Sequence, residues 1–289
     1  MSIPRRRIDI TITLGTGTFG DEVGDTVTLT GLRVHAMVLA VGGAAQGALN
    51  MRVFGMPLDL MQRLTTVGAI ANTIRGANKV QVAAGDEGGA LTTIYEGTID
   101  SAYGDFNAAP DVAYNITALS ALTAAMKPVG ASSYKGATDV ATIMRDLASK
   151  AGYAFDDHGV QVTLASPYFP GAVYQQIQAC ARAANIGYTV DRGTLHIWPK
   201  SSARGGEVPL LSPETGMIGY PAFSSVGLQV SSLFTPTAAL GGRVDIKSLL
   251  KVANGRWRIA RVQHDLQSET PGGHWFTQLE LYPDGNEQS

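Results

Sequence analysis

The chain has 289 residues, 45% of them hydrophobic and only 16% charged, with a formal net charge of −2. That length suggests two or three domains, and the near-neutral balance excludes a general electrostatic attraction to nucleic acid or to a membrane surface. A charged share below the usual ~25% predicts exterior surface that is hidden against other subunits.

The 34 glycines and modest aromatic content suit strands and turns. The one cysteine, Cys180, excludes an internal disulfide, and its neighbours IQACARAA predict a buried residue on an apolar helix. MSIPRRRIDITITL lacks the apolar run of a signal peptide, and no window approaches the roughly 18 apolar residues of a membrane helix. Synthesis and folding in a reducing cytoplasm are therefore expected. The sequon Asn115-Ile116-Thr117 then carries no consequence.

The first 100 residues read mostly as strands. In RIDITITL, Ile8, Ile10, Ile12 and Leu14 alternate with polar residues, a period of two. DTVTLTGLRVHAMVLAVGG continues in the same texture until Gly42-Gly43, and GALNMRVFGM is a further short strand. PLDLMQRLTTVG changes period: Pro57 suits a first helical position, and Leu58, Met61 and Leu64 recur at helical spacing. NKVQVAAGDEGGALTTIYEGTID predicts a hairpin turning at Gly85–Gly89. DVAYNITALSALTAAM fits either a strand or a helix, and its Thr/Ser spacing favours the strand.

A different texture spans 131–200. Thr138 is placed to cap a helix with Val140, Ile143, Met144, Leu147 and Ala151 on one face. A short strand GVQVTL, a second amphipathic helix in PGAVYQQIQACARAANIGY and a hairpin turning at Asp191-Arg192-Gly193 complete a compact α/β module. KSSARGGEVP reads as a polar linker. From Leu210 to Tyr282 the chain returns to strands, among them LQVSSLF, GRVDIKSLL and the long pair GRWRIARVQHDL and HWFTQLELY, followed by a loose tail DGNEQS. GGALTTIYEG from Gly88 and GGHWFTQLEL from Gly272 echo each other, with Thr93/Thr277 and Glu96/Glu280 in step. The echo fits two related β regions on either side of the α/β module.

Chemical motifs are sparse. GTGTFG, Gly15–Gly20, matches the dinucleotide fingerprint, but DEVGDTVTLTG follows it with a turn and a strand instead of the helix that would meet a pyrophosphate. His35, His158, His196, His264 and His274 show no metal-binding spacing. His264 and His274 face each other across a hairpin but lack a local third ligand, and packing or hydrogen bonding is their expected work. Asp156-Asp157-His158 falls where a polar turn is needed, and Arg5-Arg6-Arg7 reads as a solvated or partner-facing flank without interleaved aromatics. There is no nucleophile elbow. Glu96, Glu207, Glu214, Glu269 and Glu280 are scattered without partners for hydrolytic work. No catalytic, cofactor-binding or metal-binding residue is assigned, and a non-enzymatic protein is expected.

The C-terminal third carries a resemblance. Gly219-Tyr220-Pro221, Gly227-Leu228, Leu233-Phe234-Thr235-Pro236, Gly241-Gly242-Arg243-Val244 and Asn254-Gly255 are its elements, completed by His264-Asp265-Leu266 and Pro271-Gly272-Gly273 before Trp275. Together they resemble the baseplate hub proteins of contractile-tailed bacteriophages, of the Mu-like and T-even type, with relatives among tail protein D. Thr235 stands where the family often has Asn, a local departure in a turn. The layout of the N-terminal half is also similar, so the resemblance covers nearly the whole chain and is most specific over 216–282.

The resemblance implies an α+β, mainly β fold: two tail-tube-like antiparallel β-barrel domains, 1–130 and 201–289, and a small α/β domain, 131–200. It implies a homotrimer whose six barrels form a pseudo-sixfold ring between the sixfold tail tube and the threefold central spike. Wedge and tape-measure proteins would be further partners, and DNA would pass through the channel without specific binding. No cofactor or small-molecule substrate is implied, and the location would be the virion tail. The competing readings are a type VI secretion spike hub, which usually continues into a longer needle, and a tail-associated peptidoglycan hydrolase.

Overall fold

The computed structural model describes residues 5–15, 25–42, 45–65, 78–225 and 227–284. The fold is mainly β, with much antiparallel sheet and few helices. The chain divides into two compact units, the first made of Met1–Val38, Ala48–Thr123 and His264–Trp275, the second of the remaining segments.

In the first unit, strands run in the order β3-β4-β7-β6-β5-β1-β2. They are β1 (Arg6–Thr13), β2 (Thr26–Leu29), β3 (Arg33–Val41), β4 (Ala48–Phe54), β5 (Lys79–Asp86), β6 (Thr92–Asp105) and β7 (Ala113–Leu119). Period-two alternation sets their register, because slipping by one residue would turn every apolar side chain to solvent. Ile8, Ile10 and Ile12 lie opposite Ala84, Val82 and Val80, and Leu49, Met51 and Val53 opposite Ala118, Ile116 and Tyr114, all buried. The helix Leu58–Leu64 follows β4 and buries Leu60, Met61 and Leu64. Leu58, expected on its inner face, is exposed, and Pro57 precedes the first turn instead of beginning it. DVAYNITALSALTAAM divides into β7 and a short helix, Leu122–Met126.

The second unit contains the α/β module. Its helices Val140–Ala151 and Val173–Ala184 each bury one face. Beside them lies a three-stranded sheet of β10 (Ala154–Asp157), β14 (Thr194–Pro199) and β13 (Ile186–Asp191), in that order. The first helix is capped by Asp139, whose carboxylate accepts from Thr142 N at 3.0 Å. Thr138 stands one residue before the cap position, on the two-stranded piece formed by β9 (Ala137–Asp139) and β11 (Thr163–Ala165). A second such piece joins β8 (Ser132–Ser133) to β12 (Tyr168–Phe169).

The same unit holds most of a second antiparallel array, β16-β17-β20-β19, from β16 (Met217–Phe223), β17 (Leu228–Leu233), β19 (Gly255–Ser268, of which Gly255–Gln263 lie in this unit) and β20 (Trp275–Pro283, in this unit from Phe276). β18 (Arg243–Ile246) pairs antiparallel with β19, and β15 (Leu210–Leu211) pairs parallel with β18. Leu228, Val230, Val244, Ile246, Ile259, Val262, Leu279 and Leu281 share one core, with Trp257 partly buried against it. Ile259 and Val262 both belong to that core at an odd separation, so the alternation of β19 slips once between them. The Gly227-Leu228 motif has a steric cause: Gly227 has φ +153°, and a side chain there would strike the carbonyl oxygen of Leu281.

Among the described residues neither strand order closes on itself, so the sheets stand open where closed barrels were expected. β2 is four residues long and largely exposed. β16 breaks register between Ile218 and Ala222 and contains Pro221, which has no N–H to extend a ladder.

Two stretches expected to be loose are anchored in the second unit. Ala203 and Arg204, within the presumed linker, are buried. Asp284, the first residue of the presumed tail, is buried between Arg258 and Arg243, the latter at 2.7 Å. Burial opposes ionisation of Asp284, but the hydrogen bonds and charges of the two arginines outweigh it and lower its pKa. Asp284→Ala leaves the buried Arg258 guanidinium without its carboxylate and is predicted to cost about 3 kcal/mol, read as a lower midpoint in urea unfolding. An unchanged midpoint would show that the clamp contributes nothing.

Candidate functional site

Four of the five histidines gather in two clusters with carboxylates. In the second unit, Asp156 at β10 and His196 at β14 are cross-strand neighbours, and His158 lies just beyond β10. Asp156 Oδ2 is 3.3 Å from His196 Nδ1 and 3.4 Å from His158 Nε2. The two rings stack at 5.5 Å between centroids and 16° between planes. Arg204 donates to His196 Nε2 at 2.8 Å and also reaches Asp191.

Because a guanidinium only donates, His196 Nε2 is an acceptor, and in the neutral ring the proton sits on Nδ1. That nitrogen donates toward Asp156 and has no lone pair to offer a cation. Burial, then the Arg204 charge, pushes the His196 pKa down to about 4. The cluster is a proton-ordered chain that holds the presumed linker against β13 and β14. Asp157, its neighbour in sequence, accepts from Val160 N at 2.9 Å and shapes the turn.

In the first unit, Asp265 on β19 bridges two histidines. His35 Nε2 on β3 lies 2.8 Å from Asp265 Oδ1. His274 Nδ1, beside β20, lies 2.9 Å from Asp265 Oδ2. His264, the partner that the sequence offered for His274, is buried on the opposite face of β19. His35 stands 230 residues from Asp265 in the chain, and no spacing signal could have joined them.

The three arginines have partners within the chain, although the Arg5 and Arg7 side chains stay 62% and 42% exposed. Arg5 pairs with Glu269 and Glu87. Arg6 donates to the Gly273 carbonyl at 2.5 Å and lies over the Trp275 ring at 5.5 Å, and Arg7 binds Asp9 through two bonds of 2.8 and 2.7 Å. Arg5 and Arg6 thus tie β1 to the loop between β19 and β20.

The scattered carboxylates stay apart in partnership. Glu214 accepts from Ser212, Glu269 binds Arg5, Glu280 binds Arg261, Glu207 is exposed, and Glu96 lies half-buried on β6. Cys180 is fully buried, and burial raises its thiol to about 12. GTGTFG lies, apart from Gly15, outside the described residues.

Each unit also presents a polar sheet face. In the first, Thr11 and Thr13 bond to Thr28 and Thr26 across β1 and β2, both at 3.1 Å. Lys79, Gln81 and Glu96 continue that face in a shallow concavity. In the second, Gln229, Ser231, Gln263 and Gln278 line a groove with Arg261 and Glu280, which are paired at 2.9 Å. The faces are rich in hydroxyls and amides and close to charge balance. The edge strand β16 exposes Ile218, Tyr220 and Phe223, and Leu249 and Val252 nearby in sequence to β18 are 77% and 76% exposed.

The profile of the Baseplate hub gp41 family matches residues 7–277. The chain belongs to that family. No curated protein matches the chain by sequence. Among solved structures, it is similar to a tail protein from Neisseria meningitidis MC58, with a TM-score of 0.64, 10% identity and coverage of 96% of this chain and 97% of that one. A 43 kDa tail protein of prophage MuSo2 from Shewanella oneidensis gives 0.60, 10%, 96% and 97%. An E. coli type VI secretion component, described as structurally similar to T4 tail proteins gp27 and gp5, gives 0.59, 10%, 88% and 74%. At such identities the likeness is one of fold, and it spans phage tails and secretion machinery.

The His196 cluster yields a pH prediction for this hub-family chain. With a folded pKa near 4 against the ordinary histidine value of 6.5, the unfolded chain binds the proton first, so stability rises with pH through that window and falls as pH drops from 6.5 toward 4. Thermal melts at several pH values should show this slope in the wild type and a shallower one in His196→Gln. Equal slopes would remove His196 as its source.

Proposed function

We propose that this chain is the structural baseplate hub of a phage tail. Three copies form a pseudo-sixfold ring joining the sixfold tail tube to the threefold central spike and enclosing the channel for tape-measure protein and DNA. In this reading, 1–130 and 201–289 act as two tube-like β domains, 131–200 is the α/β domain between them, and the protein works without catalysis in the virion tail.

The family match over residues 7–277 carries the reading. The polar sheet faces support it: a wall of Thr, Ser, Gln and paired charges lets a polyanion pass, because few fixed cations are present to bind phosphates. The β16 edge supports an assembly role, since unpaired strand edges bearing apolar side chains invite a neighbouring chain. Head-to-tail contacts of that kind close into a ring when the rotation fits three subunits. A spike hub of a secretion system is the second reading, favoured by the fold likeness to the E. coli component.

Light scattering behind a sizing column tests the ring. The expected mass is three times the 30.3 kDa of the chain, with a central hole in images. Tyr220→Asp with Phe223→Asp is expected to shift the protein to monomer while leaving its circular dichroism unchanged. A wild-type monomer that neither tube nor spike protein assembles would end the hub reading.

A further inference from the structure

We propose that His35, Asp265 and His274 form a binding site for one divalent transition-metal ion, with Zn²⁺ the best chemical match. The three donor atoms lie within 4.8 Å of one another. They comprise two imidazole nitrogens and a carboxylate oxygen, the borderline set that zinc prefers, and three protein ligands leave a fourth position for water. An ion bound in tetrahedral geometry at about 2.0–2.1 Å from each nitrogen draws the two nitrogens together by at most about 1.5 Å. His274, whose side chain is 55% exposed, has the freedom to make that move.

The proton arrangement permits it. A carboxylate only accepts, so at present His35 Nε2–H and His274 Nδ1–H each donate to Asp265. On metal binding each ring moves its proton to its other nitrogen, exchanged through water, and the freed lone pairs turn to the ion with no net release of protons from neutral rings. In the Asp156 cluster, by contrast, Arg204 donates to the far nitrogen of His196 and holds the ring proton on Nδ1, so that ring cannot make this exchange. Asp265 supplies one negative charge, while Arg33 and Arg52, which line the same concavity as His35, lie over the Phe54 ring at 4.0 and 5.6 Å, and Arg33 also pairs with Asp111 at 3.0 Å. The ion would staple β3 to the loop that Arg5 and Arg6 already hold from β1. None of this depends on the hub reading.

The test uses the full chain without a histidine tag, stripped by chelator and titrated with Zn²⁺ against a chromogenic chelator. One Zn²⁺ per chain is expected, with at least tenfold weaker binding in His35→Ala and in His274→Gln, and unchanged stoichiometry in His158→Ala. Co²⁺ in the same protein should give the intense visible bands of a four-coordinate ion, lost in His274→Gln. His274 lies at an exposed position, so this variant is expected to fold with wild-type circular dichroism. The proposal is overturned if the wild type binds no Zn²⁺, if His274→Gln binds as well as the wild type, or if His158→Ala abolishes binding.

Discussion

Period-two alternation on antiparallel strands is the constraint on which the rest of this molecule depends. Once Ile8, Ile10 and Ile12 face Ala84, Val82 and Val80, every intervening residue of β1 and β5 must face the other way. The same rule places Gln229, Ser231, Gln278 and Glu280 together opposite the core of the second array. A core made of Ile, Val and Leu on one face therefore defines a continuous polar face on the other. The surface that serves a channel wall in the proposed hub is the geometric complement of the core and needs no separate construction.

Buried charges then decide where the irregular segments go. Arg258 and Arg204 are 4% and 7% exposed, and a guanidinium so far from water is tolerated only with acceptors around it. Arg258 has Asp284 and the carbonyls of Lys200 and Ser201. Arg204 has Asp191 and His196. These partners fix Lys200, Ser201, Arg204 and Asp284, positions that composition alone marks as loose. In the first unit, exposed Arg5 and partly buried Arg6 do lighter work of the same kind on the loop between β19 and β20, where each contact contributes little by itself.

The histidine clusters show how hydrogen-bond direction separates groups of similar composition. Asp156, His158 and His196 look as capable of holding an ion as His35, Asp265 and His274 when only donor atoms are counted. Arg204 breaks the equivalence by fixing the tautomer of His196. Such a distinction depends on a residue outside the triad, and no count of ligand types contains it.

Much of the fold was legible because it rests on local pattern. The alternation in RIDITITL, the helical spacing around Val140–Leu147 and the glycine turn after Val82 each report a period that neighbours in sequence create. Gly227 was legible as a motif element, with its cause, the approach of Leu281 O, visible only in three dimensions. Thr138 lies one residue short of the cap, which falls to Asp139, and among the described residues neither strand order closes. Arg5, Arg6, His35, Arg204 and Asp284 found partners from 8 to 267 residues away. The sequence by itself determined the mainly β character, the family and the apolar-polar division of each strand, since these follow from short-range periodicity and local motifs. Only the tertiary structure decided which charges and histidines meet, because those meetings depend on sheet order and on burial.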